Sequence, residues 1–242
     1  MRIPTIRGVI DRRILVNFRV DPDVLASVLP KPFEPQLVGG AGIAGVCLIR
    51  LAGLRPAFLP GTWGLRSENA AHRVAVVLPD GSNAVYFPRR DTNSRLNVLV
   101  GGRLFPGAHH HAQFTSVETE DRFDVTMRSD DDVTRLFVES KIADRLPGGS
   151  VFADVAAVSS FFESGSLGFS DTSTDGRFDG LELRTDQWRV SALDVDRVES
   201  SFFDDRSMFP AGTVEFDNAL LMRGIEHEWH AHESLSAAAA IA

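Results

Sequence analysis

The 242-residue chain contains two lysines, Lys31 and Lys141, and one cysteine, Cys47. A single cysteine excludes an intrachain disulfide and any cysteine-based zinc cluster. Cys47 lies in the apolar run from Ile43 to Leu51 and reads as core filler rather than a nucleophile. With so few lysines, arginine supplies nearly all the positive charge. A guanidinium stays protonated and grips carboxylates bidentately, but it forms no Schiff base, so imine chemistry has almost no residue to carry it. No stretch reaches the roughly 18 apolar residues of a membrane-crossing helix. No Gly/Ser-rich or Pro-rich linker divides the sequence, and Met1-Arg-Ile-Pro lacks the apolar core of a secretory leader. These absences predict one cytoplasmic, soluble domain over residues 1–235, with residues 236–242 as a frayed tail. The net charge of −8 argues against nucleic acid as a partner, since that binding depends on clustered Lys and Arg.

What is present is mostly strand-like. Alternating or β-rich runs cover Arg12 to Val20, Ala41 to Leu51, His72 to Leu78 and Ala84 to Pro88, the last two joined by the turn Pro79-Asp-Gly-Ser. Ala108 to Thr115, Arg122 to Ser129 and Val133 to Ser140 follow, then Leu181 to Val190 paired with Ala192 to Glu199, and a last strand around Ile225, His227 and Trp229. Asp21-Pro22 is an N-cap with proline at the first helical position and opens a short helix ending near Leu29-Pro30. Asn93 or Ser94 caps a second helix through Leu104, and Ser150 opens a third through Phe162. The fold class predicted is mainly β (α+β), barrel-like, with two or three flanking helices.

Chemistry concentrates in Gly107-Ala-His-His-His-Ala112, which holds three of the seven histidines. Histidine titrates nearest neutral pH and is a common metal ligand. Strand alternation places His109 and His111 on one face and His110 on the other. Three readings stay open for that pair: pocket filler, acid/base catalysis, or metal ligation. The metal reading is weak, because catalytic sites usually take three protein ligands. Glu226-His-Glu-Trp-His-Ala-His232 alternates like a strand and is not the helical His-Glu-x-x-His motif. Gly101-Gly102 lacks the surroundings of a phosphate loop and reads as a site of close helix packing. Asp130-Asp131-Asp132 reads as a solvated turn.

Several segments, in order, carry a family likeness. Phe18-Arg-Val-Asp-Pro-Asp-Val-Leu-Ala-Ser-Val-Leu-Pro-Lys-Pro-Phe-Glu-Pro35 resembles the opening of the acetoacetate decarboxylase superfamily, and Gly101-Gly-Arg103 with Ala108-His-His-His-Ala112 resembles its Gly-Gly-Arg and Pro-Lys-Lys-x-Ala segments. Phe161-Phe162, Gly165-Ser-Leu-Gly-Phe-Ser170, Gly180-Leu-Glu-Leu-Arg184 and Val198-Glu-Ser-Ser-Phe202 extend the likeness, which is strongest to the uncharacterised YqjF-like (DUF2071) branch. The resemblance implies a cone-shaped β-barrel with an internal pocket, and homo-oligomers. It places His109 where the Schiff-base lysine belongs and His110 where its partner belongs, which argues against imine-based decarboxylation. It implies Arg19 as the carboxylate-holding residue, with His110 beside the ligand and Glu68 as an acidic neighbour of the reactive group.

The expectation is therefore a small-molecule enzyme, a lyase or hydrolase, that binds an organic acid or carbonyl compound. Arg19 and His110 are assigned to binding, His109, His111 and Glu68 to catalysis. No cofactor is expected. The alternatives are a non-catalytic ligand-binding protein and a metal-dependent enzyme using His109 and His111.

Overall fold

The computed structural model describes residues 4–60, 64–101 and 106–237. The described strands are β1 (Ile6–Val20), β2 (Glu34–Pro35), β3 (Leu37–Val38), β4 (Ala41–Pro56), β5 (Leu65–Val77), β6 (Asn83–Thr92), β7 (His109–Glu118), β8 (Arg122–Ser129), β9 (Arg135–Ala143), β10 (Leu167–Asp171), β11 (Arg177–Arg184), β12 (Ser191–Ser200) and β13 (Val214–Ser236). The helices are α1 (Pro22–Val28), α2 (Arg95–Val100) and α3 (Val155–Ser164).

All the strands belong to one ring-like sheet. The run β13-β1-β4-β5-β6 is antiparallel throughout and forms a shared wall. It closes on itself twice, once through β7-β8-β9-β12 and once through β10-β11, because β6 pairs with both β7 and β10 while β13 pairs with both β12 and β11. The mainly β fold with three helices is as expected. Its ring-like sheet closes by two routes that share one wall.

Alternation explains how both faces of the wall are filled. Ile14 and Val16 of β1, Leu48 of β4 and Val74 of β5 point into the larger apolar cluster with Phe123, Val138 and Phe169. Their neighbours Leu15, Cys47 and Ala71 point the other way, towards Val158 and Phe162 of α3. A wall buried on both faces needs apolar residues at nearly every position, as in Ile43 to Leu51.

Local signals set the helix starts. The Asp21 carboxylate accepts from the backbone N–H groups of Asp23 and Val24 at 3.0 and 3.1 Å, and Ser94 Oγ accepts from Asn97 N at 3.2 Å. The second helix ends at Val100 with Gly101 as its C-cap, and residues 102–104 of its expected span lie outside the described residues. The third helix starts later than expected. Asp154 caps it by accepting from Ala157 N at 2.8 Å, whereas the Ser150 hydroxyl donates to Asp217 Oδ2 at 2.7 Å. The expected pairing of Leu181 to Val190 with Ala192 to Glu199 does not form. The first strand stops at Arg184, and β12 pairs instead with β9 and β13. The last strand continues through Ser236 and pairs there with Arg177, so the expected tail begins inside the sheet; residues 238–242 lie outside the described residues.

Candidate functional site

A cavity of about 130 Å³ lies on the α3 side of the shared wall. Alternate residues of neighbouring strands form its floor: Arg13 of β1, Cys47 and Ile49 of β4, Asn69, Ala71 and Arg73 of β5, and Arg90 of β6. Phe162 of α3, Trp188 and Trp229 enclose it from the other sides. The volume is close to that of an engineered 150 Å³ protein cavity that takes benzene, so a ligand of roughly six to nine non-hydrogen atoms fits.

Three guanidinium groups reach this cavity, and among the described residues none of them forms a salt bridge. Arg73 is 2% exposed. Its Nη2 donates to Asn17 Oδ1, its Nε and Nη1 have no hydrogen-bond partner among the described residues, and the guanidinium lies 4.4 Å from the centre of the Phe162 ring. Burial lowers its pKa to about 9. Arg90 donates from Nε to Ser170 Oγ at 3.1 Å and stacks 4.0 Å over Phe87, and burial lowers its pKa to about 10. Arg13 is half-buried and, among the described residues, donates only to sulfur, Cys47 Sγ at 3.0 Å and Met222 Sδ at 3.9 Å, both weak acceptors. The acid in the lining, Asp91, is already engaged by Arg89 at 2.8 Å and by the Thr134 hydroxyl at 3.2 Å. Buried charges are ordinarily paired, because leaving one unpaired costs several kcal/mol. The cavity is thus cationic and short of an anion.

Gly45 makes the Arg73 contact possible. In register across the wall, Asn17, Gly45 and Arg73 lie side by side on β1, β4 and β5. With no side chain on the middle strand, Arg73 reaches across it to Asn17. Asn17 in turn donates to Asn218 Oδ1 at 2.7 Å, and Asn218 donates to Asp217 Oδ2 at 2.6 Å. A buried chain of amides therefore fixes the guanidinium.

His109 also lines the cavity and sits opposite Arg90 in the parallel β6–β7 register. Its Nδ1 is 3.2 Å from the Gly107 carbonyl. A carbonyl only accepts, so Nδ1 carries the proton and Nε2 carries the lone pair. Burial, with help from the Arg90 charge, lowers its pKa to about 4, so the ring is neutral at physiological pH. Gly101 gives the ring its space: a Cβ there would come within 2.8 Å of His109 Nδ1. The expected close packing at this glycine is thus against the histidine.

Residues 10–211 match the model of DUF2071, a family described as uncharacterized conserved proteins. The chain belongs to the DUF2071 family. Its ring-like sheet has the fold of acetoacetate decarboxylase-like structures. Acetoacetate decarboxylase from Legionella pneumophila is similar with a TM-score of 0.61 and 11% identity, over 96% of this chain and 88% of that one. An acetoacetate decarboxylase-like enzyme from Sphingomonas wittichii gives 0.62 and 11%, over 98% and 93%. The enduracididine biosynthesis enzyme MppR, complexed with the condensation product of pyruvate and imidazole 4-carboxaldehyde, gives 0.59 and 13%, over 98% and 90%. At such identities the likeness is one of fold. No curated protein sequence matches the chain.

In this DUF2071 protein the cavity gathers only one of the five residues picked from sequence. Arg19 is at the far end of β1, six residues and about 20 Å along the strand from Arg13. It donates to the Gly149 carbonyl at 2.7 Å, pairs with Glu215, and lies 3.6 Å from Asp217. Arg13, Arg73 and Arg90 occupy the cavity in its place. Glu68 misses by one position on β5: Asn69 faces the cavity, and Glu68 faces the opposite side, in a network with Arg12, Arg50 and Glu118. Burial raises the pKa of Glu68 against the pull of both arginines. His110 lies 3.2 Å from Asp131, and His111 Nδ1 is 2.7 Å from Asp130 Oδ2; neither lines the cavity.

His109 and His111 therefore do not share a site, as alternation had suggested. Among the described residues no three His, Cys, Asp or Glu side chains group as a metal site. The Asp130–Asp132 turn is not merely solvated, since it pairs with His110, His111, Arg89 and Arg128. Facing runs of His and Asp across a strand turn were the sequence signal for that role. The arginines of the cavity had a fainter signal: Arg13 shares the period-2 face of Arg19, and Arg90 precedes the histidine run.

Proposed function

We propose that this DUF2071 protein is an enzyme acting on a small organic acid or carbonyl compound, held by Arg73 and Arg90 and served by His109 as the proton-transfer group. The observation behind this is a cavity lined by three guanidiniums that form no salt bridge among the described residues, with the neutral imidazole of His109 beside one of them, Arg90. An acid entering it supplies the missing anion, and Arg73, held by Asn17, needs no reorganisation to receive it. The neutral imidazole of His109 is the base of the cavity, taking a proton from carbon next to a carbonyl, with the guanidiniums stabilising the enolate oxygen that results. General-base catalysis of this kind contributes about 10²–10⁴-fold. Enolisation or dehydration is therefore favoured over imine chemistry. Lys31 is exposed, and Lys141 pairs with Asp194 and Asp196 on the outside of the sheet, so neither offers an amine to the cavity.

The test is proton exchange on a panel of small 2-oxo and 3-oxo acids in deuterated water, followed by NMR, with thermal shift reporting binding. Wild type should exchange the α-proton of at least one acid that stabilises it. His109→Gln should keep the stabilisation and lose exchange at least 100-fold, and Arg73→Gln should lose both. Stabilisation without exchange would identify a binding protein instead, and full exchange in His109→Gln would remove the histidine from the mechanism.

A further inference from the structure

Cys47, the chain's single cysteine, lines the cavity and is 4% exposed, so a reagent reaches its sulfur through that space. The strand registers set three arginines around it. Arg13 lies diagonally across the β1–β4 pairing, Arg73 diagonally across β4–β5, and Arg90 straight across on β6 with the small Ala71 between. The side chains follow that plan. The half-buried Arg13 donates from Nε to Cys47 Sγ at 3.0 Å. Burial disfavours the charged forms of Arg73 and Arg90, and in both the opposing effect is the negative charge of a Cys47 thiolate. Arg73 is 2% exposed and keeps Nε and Nη1 without hydrogen-bond partners among the described residues. Asp91 is engaged by Arg89 and Thr134, which leaves the sulfur as the described lining group able to carry uncommitted negative charge. A thiolate attacks where a thiol does not, and adjacent arginines favour the thiolate.

We propose that Cys47 is a nucleophile that bonds covalently to small 2-enoic acids, whose carboxylate is held by Arg73. This rests on the proposed reading of the cavity as an organic-acid site and adds a covalent step to it. The sulfur forms a bond to the β-carbon of the acid, and the π pair of the C=C bond moves to the α-carbon and carboxylate. The guanidiniums stabilise the charge that gathers there. The thiol proton leaves to water, and water returns a proton to the α-carbon. Nothing is oxidised and no group departs, so the adduct has the mass of the protein plus the whole acid. An unbranched 2-enoate of three or four carbons is small enough for the 130 Å³ cavity. The apolar run around Cys47 gave no sign of this chemistry, because the arginines beside the sulfur stand on other strands.

Intact-mass kinetics on the full chain at pH 8 and constant ionic strength decide the matter, using two matched pairs: acrylate with acrylamide, and iodoacetate with iodoacetamide. Towards a free thiol the neutral amide is the faster reagent of each pair. Towards this protein the carboxylate should be about tenfold the faster, the gain expected from one charge-assisted contact. Excess acetate should protect the thiol. With one cysteine in the chain the adduct has a single address, and Cys47→Ser should take up none of the four. Arg73→Gln should restore the preference for the amides, whereas Arg13→Gln should slow both members of each pair. Faster modification by the amides, or no modification of the folded protein, overturns the nucleophile; the acid site still stands if acetate raises Tm. Modification by the amides alone, with neither protection nor stabilisation by acetate, overturns the acid site as well. The wild-type ratio within each pair decides even if an arginine variant fails to fold.

Discussion

Three adjacent histidines have the same side chain and different surroundings. His110 and His111 meet the Asp131 and Asp130 carboxylates at the protein surface, while His109 turns inward beside Arg90. Burial and that neighbouring cation hold its pKa down to about 4, where a free imidazole titrates near 6.5. The base form is consequently available across the physiological range and is lost only as pH falls through about 4. Imidazole NMR shifts followed against pH should show a His109 midpoint near 4 in the free protein. Adding a bound acid should raise it, because an anion beside Arg90 offsets the repulsion that disfavours the imidazolium. A free-protein midpoint near 6.5 would place the ring in water and count against the site.

At the scale of elements, the central strands of the wall act as a template. One face of β1, β4 and β5 builds core and the other builds cavity, so a single residue's slip exchanges the two. That is why Asn69 and not Glu68 lines the cavity. Gly45 is the tightest point of this arrangement, since a Cβ there would lie 2.1 Å from the Val16 carbonyl oxygen, on a backbone that cannot give way. Gly45→Ala should cost about 3 kcal/mol or more by overpacking. For a chain of this size that corresponds to a fall in Tm of roughly 6–12 °C. The same change should weaken acid binding, because Arg73 reaches Asn17 across this glycine. Differential scanning calorimetry and ligand titration together check both, and an unaltered Tm would mean the β1–β4 register differs from the one described.

Over the whole molecule, the hidden cost is buried imidazole. His72 is fully buried against Phe202, with burial and the nearby Arg89 lowering its pKa to about 3; burial likewise lowers His227 to about 4. In the unfolded chain each ring takes up a proton near 6.5. Between that value and the folded one the unfolded state binds more protons, so acidification draws the equilibrium towards unfolding. Stability should be flat above about pH 6.5 and fall steadily towards pH 4, each pKa unit being worth about 1.4 kcal/mol. Denaturant melts across this range should show a shallower acid limb for His72→Leu. An identical slope in that variant would mean that the ring is protonated, or solvated, in the native state.

The sequence by itself determined the material of this protein: strands by their period of two, helix starts at Asp21 and at Asn93 or Ser94 by their caps, and arginine-rich chemistry almost without lysine. It also carried the family likeness in the order of short motifs. What it left open was which face each strand turns inward, because alternation gives two faces and no sign for choosing between them. That choice waited on pairings between distant segments, such as β1 with β13, β12 with β9, and β13 with β11. Those contacts put His109 at the cavity with Arg13, Arg73 and Arg90, left Arg19, His110 and His111 away from it, and set Glu68 behind the wall. Local sequence encodes local geometry, whereas a cavity is built from residues that become neighbours only once the sheet has closed.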